Sequence, residues 1–334
     1  METVTENHYG CSGCSARRVD AFNPNDHPTL ATVPVGSNPF DVAVNSLTHK
    51  AYVSNFGNSG GCGFSGGGSV TVILNQRDHS FTVKATITLG GTANALGIDL
   101  NPATNRVYVA NCRQIQGTVG TVVSGAVTVI NGTSDTIITT IIPCPPCIDL
   151  NDIAIDPVTN TIYAIGNAQG SINGVFTNYI EIFAIDGSTN MVAHNFIIAG
   201  ACLTNGGGFA NIADNPATNT VWLDGTQPCG GSSYLWALNG STGTVKAAIQ
   251  VPSTCSFPCD QLRGIGVNSI SNIIYVADGN DFVWVYSGST YGLVNTLDLT
   301  TATCCPEDVT IDPATNRIYV SEDLLNEVTV IAGA

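Results

Sequence analysis

One short turn, repeated six times, constrains this chain more than any other feature. It reads Asn101-Pro-Ala-Thr-Asn105, Asp156-Pro-Val-Thr-Asn160, Asn215-Pro-Ala-Thr-Asn219 and Asp312-Pro-Ala-Thr-Asn316. Looser copies stand at Asn45-Ser-Leu-Thr-His49 and Asn268-Ser-Ile-Ser-Asn272. The copies begin about 44 to 59 residues apart, close to the length of one blade in a radial β-repeat. Asn or Asp opens a turn because its side chain can bond nearby backbone, and a following Pro fixes φ.

Each turn joins two runs with period-2 alternation and many β-branched residues, which is a strand signal. The first pair is Asp41–Asn45 and Lys50–Asn55; the last is Asp308–Asp312 and Arg317–Ser321. A third strand follows, as in Ser69-Val-Thr-Val-Ile73, Ala126-Val-Thr-Val-Ile130, Tyr179–Phe183 and Glu327-Val-Thr-Val-Ile331. A fourth includes Phe81–Ile87 and Thr136–Ile141. No comparable helical stripe is present. Four antiparallel strands per unit, repeated radially, predict an all-β, six-bladed β-propeller over residues 29–334, preceded by a cysteine-bearing tail, residues 1–28. The sixth unit lacks a fourth strand, and His27–Gly36 reads as one placed before the first unit. The N-terminal strand is therefore expected to close the last blade. An open, capped solenoid is the competing reading, and the complementarity of the two ends argues against it.

The strand and turn residues resemble the YVTN-type β-propeller repeat family. The resemblance rests on Tyr52-Val-Ser-Asn55, Tyr108-Val-Ala-Asn111, Tyr275-Val-Ala-Asp278 and Tyr319-Val-Ser-Glu322, with the Val-Thr-Val-Ile strands and Pro-x-Thr-Asn turns. It weakens in blade 4, where Val221-Trp-Leu-Asp224 replaces the motif. It implies an extracellular or cell-surface protein and transfers no catalytic residue.

Composition points the same way. Ten Lys and Arg against 25 Asp and Glu give a net charge of −15. That sign repels phosphate backbones, which argues against a nucleic-acid partner. Charged residues make up only 10% of the chain, against about 25% in a typical soluble domain. No run approaches the roughly 20 apolar residues of a membrane span. Residues 1–26 lack a hydrophobic signal core, so either a secretion signal was removed before this numbering or none existed, and the twelve cysteines argue for removal.

Twelve cysteines, an even number, suit disulfides in an oxidising compartment. The candidates are Cys11, Cys14, Cys62, Cys112, Cys144, Cys147, Cys202, Cys229, Cys255, Cys259, Cys304 and Cys305. All but the first two are expected in loops on one face, with the long insertions Gly57–Gly68, Arg113–Gly125 and Ala168–Asn178. Loop geometry suggests Cys202 with Cys229, and Cys112 with Cys144 or Cys147. The spacing of Cys144-Pro-Pro-Cys147 and Cys11-Ser-Gly-Cys14 would also suit metal ligands. A redox role for Cys144 or Cys147 lacks the helix N-terminus that lowers a thiol pKa.

The first residues of the six innermost strands align as Asp41, Gly97, Asp152, Asn211, Gly264 and Asp308. Asp41, Asp152, Asn211 and Asp308 could converge on a hard cation such as Ca²⁺. The competing reading makes each Asp an acceptor of backbone N–H groups from a neighbouring blade. Asn131-Gly-Thr133 and Asn239-Gly-Ser241 are glycosylation sequons, or ordinary turns. Trp222, Trp236 and Trp284 read as core, and His194 as exposed.

These features predict an extracellular, non-catalytic binding or structural protein of the surface or filament type. Its expected partners are other subunits or cell-surface components, with self-assembly through the tail. The alternative is a divalent-cation-dependent hydrolase or lyase at the channel mouth.

Overall fold

The computed structural model describes residues 20–22, 29–57, 66–75, 81–117, 120–143, 150–202, 211–227, 229, 231–252, 262–278, 282–299, 306–312, 316–322 and 327–332. Among them there is no helix. Two short strands come first, β1 (Asp20–Phe22) and β2 (Thr29–Thr32). Blade 1 holds β3 (Pro39–Asn45), β4 (Lys50–Asn55), β5 (Ser69–Asn75) and β6 (Phe81–Thr88). Blade 2 holds β7 (Asn94–Asn101), β8 (Arg106–Gly117), β9 (Gly120–Asn131) and β10 (Thr136–Ile141). Blade 3 holds β11 (Leu150–Asp156), β12 (Thr161–Ile172), β13 (Val175–Asp186) and β14 (Met191–Ala199). Blade 4 holds β15 (Ile212–Asn215), β16 (Thr220–Gln227), β17 (Ser232–Asn239) and β18 (Val245–Gln250). Blade 5 holds β19 (Leu262–Asn268), β20 (Ile273–Asp278), β21 (Phe282–Ser287) and β22 (Leu293–Asp298). The last sheet holds β23 (Pro306–Asp312), β24 (Arg317–Glu322) and β25 (Glu327–Ala332).

Five sheets are four-stranded and the last has three strands, so five complete blades replace the six expected. The strand expected to close the last blade pairs elsewhere. In β2, Thr29 and Ala31 face Phe22 and Ala21 of β1. The tail itself supplies a β-partner for that edge, so β2 satisfies backbone groups locally. The insertions expected as loops also differ. Arg113–Gly117 and Gly120–Ser124 pair residue for residue and prolong β8 and β9. Ala168–Ile172 and Val175–Asn178 likewise prolong β12 and β13 into an arm. A two-residue turn with φ of +52° at Asn173 and +83° at Gly174 caps that arm. Positive φ at both central residues matches the twist of a tight hairpin.

The chain forms two compact units. One comprises Arg17–Gly166 and Phe183–Ala193; the other includes Asn167–Ile182 and His194–Ala334. In the first, the facing sheets of blades 1 and 2 bury Tyr52, Val70, Val72, Val107, Val109 and Ile130 in one core. In the second, Trp222, Leu235, Val276, Trp284 and Tyr286 do the same for blades 4 and 5. Second and third strands are apolar on both faces because a middle strand is covered on both sides.

Backbone ladders hold each blade together, and side chains join neighbouring blades. In the first unit, the Asn45 Nδ2 donates to the Asn105 Oδ1 (3.0 Å), and the Asn101 Nδ2 to the Asn160 Oδ1 (2.8 Å). In the second, Asn215 donates to Asn272 and Asn268 to Asn316, both at 2.8 Å. The receiving residues lie in the left-handed region, with φ of +51°, +56°, +54° and +51°. Asn tolerates that conformation better than other residues with a Cβ. This explains the Asn that ends five of the six turns; the first ends in His49, with a φ of +57°.

Four outer strands carry an extra residue at one position: Lys84, Ile138, Lys246 and Val294. A bulge there breaks the flat edge that would otherwise template pairing with another chain.

Gly97 and Gly264 are seats for side chains of the next blade. A Cβ on Gly97 would lie 2.2 Å from the Asp152 Oδ1, and one on Gly264 2.5 Å from the Asp308 Oδ1. Gly97→Ala and Gly264→Ala are each expected to lower stability by about 1–3 kcal/mol, the usual range for overpacking. Urea unfolding checks this; an unchanged midpoint would contradict the close seating.

Candidate functional site

The innermost strands reach the aligned ring positions through bulges. Phe40, Asn151, Arg263 and Glu307 are the extra residues just before Asp41, Asp152, Gly264 and Asp308. A bulge re-aims the side chain that follows it. In the first unit, the Asp41 carboxylate accepts the Val42 N–H (2.6 Å) and, from the next blade, the Ile98 N–H (2.8 Å). The Asp152 Oδ1 accepts the Ile153 N–H at 2.7 Å and rests against Gly97. In the second unit, the Asp308 Oδ1 accepts the Val309 N–H at 2.7 Å and rests against Gly264. Asn211 turns back onto its own blade, where its Nδ2 donates to the Asp224 Oδ2 at 2.8 Å. The Gly-then-Asp order therefore has a packing origin: Asp152 and Asp308 sit where the preceding inner strand offers no Cβ. Among the described residues, no group of three or more His, Cys, Asp or Glu is placed to hold a metal ion.

Two carboxyls stand out electrostatically. Asp99 accepts the Leu100 N–H (2.7 Å) and, across the blade junction, the Ile155 N–H (2.9 Å). Burial raises its pKa to about 7; the two N–H groups oppose that rise and the nearby Asp41 charge adds to it. Asp224 is fully buried. Burial raises it too to about 7, against the Asn211 amide and backbone donors. Sequence reasoning missed Asp99. The available signal was positional: Asp99 stands where the aligned strands carry Ala43, Ala154, Ala213, Gly266 and Thr310. The buried Asp278 accepts the Trp284 Nε1–H at 2.7 Å and the Phe282 N–H at 3.2 Å.

Cys202 and Cys229 form the expected disulfide, with Cα atoms 5.0 Å apart. Cys112 is disulfide-bonded too, and it lies within β8 rather than in a loop. Cys11, Cys14, Cys62, Cys144, Cys147, Cys255, Cys259, Cys304 and Cys305 lie outside the described residues.

The sequons fall in turns with a structural use for every sequon side chain. The Asn131 Oδ1 accepts the Thr133 and Ser134 N–H groups, while the Thr133 hydroxyl accepts from the Asn105 Nδ2. Asn239, Ser241 and Asn219 repeat that arrangement. The same turn forms at Asp186-Gly-Ser188, which is no sequon. Trp222, Trp236 and Trp284 are buried core residues, as expected. His194 is exposed and lies 6.5 Å, centroid to centroid, from the Phe196 ring.

Antiparallel four-stranded blades, joined blade to blade by side chains at their inner strands and turns, define a β-propeller protein. The sequence matches no protein-family model and no curated protein. Among solved structures it is similar to one titled Kuenenia stuttgartiensis hydrazine synthase, with a TM-score of 0.73 and 18% identity. The match covers 97% of this chain and 91% of that one. At that identity the likeness concerns the fold alone.

Asp99 and Asp224 set a pH dependence. Each keeps its proton up to about pH 7 when folded, against an ordinary value of 3.8. Between these values the unfolded chain binds fewer protons, so their contribution to stability falls as pH rises from about 4 to about 7. Asp99→Asn and Asp224→Asn are each expected to show a shallower decline than the parent in urea midpoints across that window. Equal slopes in parent and variants would contradict the assignment.

Proposed function

We propose that this chain is an extracellular or cell-surface β-propeller that acts as a non-catalytic binding or structural scaffold. The observation that carries this reading is how the inner-strand and turn polar groups are used. Asp41, Asp99, Asn45, Asn101, Asn215 and Asn268 donate to or accept from the neighbouring blade. Rigid blades then present extended hairpins, a common arrangement for recognition. The disulfides suit an oxidising compartment. The Tyr-Val-x-Asn strands support membership of the YVTN type.

In the first unit, Val33 packs against blade 1 as an outer-strand residue packs against the blade that follows it. Val33 shares a core with Val53 and Ile73, just as Ile87, the aligned residue of an outer strand, shares one with Val109 and Ile130. Val42 and Val44 are 43% and 65% exposed, while the aligned Ile98, Leu100, Ile153 and Ile155 are at most 7% exposed. Blade 1 thus has an apolar face of the kind that a preceding blade covers elsewhere.

The partners of such a scaffold are other subunits or cell-surface components, with self-assembly through the N-terminal tail. No helix among the described residues is long and apolar enough to cross a membrane. Light scattering of the full chain over a concentration series is expected to show self-association, reduced by Cys11→Ser with Cys14→Ser. A strict monomer at high concentration would contradict the assembly role.

Ca²⁺-dependent esterase or lactonase activity, lost in a folded Asp152→Ala variant, would contradict the scaffold reading.

A further inference from the structure

The arm of blade 3 and the Cys202–Cys229 disulfide belong to one compact unit. From Gly166 to Ile180 the chain carries no charged residue. At the tip, Val175 and Phe176 are 66% and 74% exposed. Lower down, Tyr179 lies across Gly170, whose added Cβ would stand 3.3 Å from the hydroxyl. The arm is thus stiffened by its own cross-strand packing and ends in an uncharged, apolar tip.

Its base rests on a short strap. The Gly200 N–H donates to the Asn178 carbonyl at 2.9 Å. Gly200 has a φ of +72°, which favours glycine at the point where the strap leaves β14. Two residues on, Cys202 exchanges backbone hydrogen bonds with Thr226 in both directions, at 3.0 and 2.7 Å. The Gln227 Nε2 donates to the Ala199 carbonyl at 3.2 Å. Gly225 lets the strap approach: an added Cβ would meet the Cys202 carbonyl at 2.6 Å and the Ile180 side chain at 2.9 Å. The Cys202–Cys229 bond then fixes the strap covalently to the end of blade 4. Both cysteines are partly exposed.

We propose that the Cys202–Cys229 disulfide is a redox-sensitive brace that sets the position of the β12–β13 arm. With the bond intact, Gly200 holds Asn178 and the apolar tip is presented in one place. A dithiol can open it: two electrons and two protons pass to the cysteines as two thiols, and the dithiol becomes its own disulfide. The strap then keeps only its hydrogen bonds, and the arm gains freedom while the blades stay folded.

Amide hydrogen exchange on the full chain tests this, comparing the parent with Cys202→Ser/Cys229→Ser. Exchange is expected to rise at least tenfold at residues 175–180 and 199–202 and to stay unchanged in β8, β9, β20 and β21. No change at the arm, or a rise spread over all blades, would overturn the proposal. Differential alkylation of the parent under graded dithiol is the second measurement. It is expected to label Cys202 and Cys229 before near-ultraviolet dichroism is lost; labelling only together with that loss would overturn the proposal as well.

Discussion

The blades depend on an amide held in an unusual backbone conformation. Within a blade, N–H and C=O groups pair along the ladders, but among the described residues neighbouring blades share no ladder. A left-handed Asn at the end of the turn, at Asn105, Asn160, Asn272 and Asn316, supplies a link. In blades 2, 3 and 5 its amide oxygen accepts from the preceding blade, at Asn105, Asn160 and Asn272. Its amide nitrogen donates to Thr133, Ser188 and Ser289 in the second turn of its own blade. One side chain therefore fixes blade spacing and the meeting of two turns. Gly132, Gly187 and Gly288 follow from it, because a Cβ at any of them would strike that Asn.

The carboxylates at the inner strands follow similar logic at a higher electrostatic cost. Burying a charge is unfavourable unless it is paired or hydrogen-bonded. Asp41 and Asp99 meet this by each accepting two backbone N–H groups, one from each side of a blade junction. Asp99 still has a pKa raised to about 7, so two N–H donors only partly replace water. Ion pairs contribute too: Lys50 and Lys84 both bind Asp135 of the next blade, at 2.7 and 2.6 Å.

Much of the fold was legible because its signals are local. Turn chemistry and period-2 alternation marked Lys50–Asn55 and Thr136–Ile141 at their observed bounds. Hairpin arms were not legible: Arg113–Gly125 and Ala168–Asn178 are rich in Gly, Ser, Asn and Thr, and their strands gain structure from cross-strand pairing rather than from propensity. The partner of residues 29–32 was misread because two edges compete for one strand, and sequence periodicity does not rank them. At the inner strands, the Asp and Gly positions were legible, as was the reading in which Asp41 accepts a backbone N–H of the next blade. Whether an Asp faces an axis or a neighbouring glycine depends on bulges at Phe40, Asn151 and Glu307, which leave no sequence mark. The Cys202–Cys229 pair was legible because both residues flank one blade junction.

The inter-blade amide link is tested most directly by a double-mutant cycle on Asn101→Ala and Asn160→Gly, with glycine chosen to keep the left-handed backbone free of strain. Unfolding free energies of the parent, both single variants and the double variant give the coupling between the two side chains. The account predicts a coupling of about 1 kcal/mol, the net worth of one buried hydrogen bond. Additive losses, with no coupling beyond experimental error, would show that the two amides do not hold the blades together.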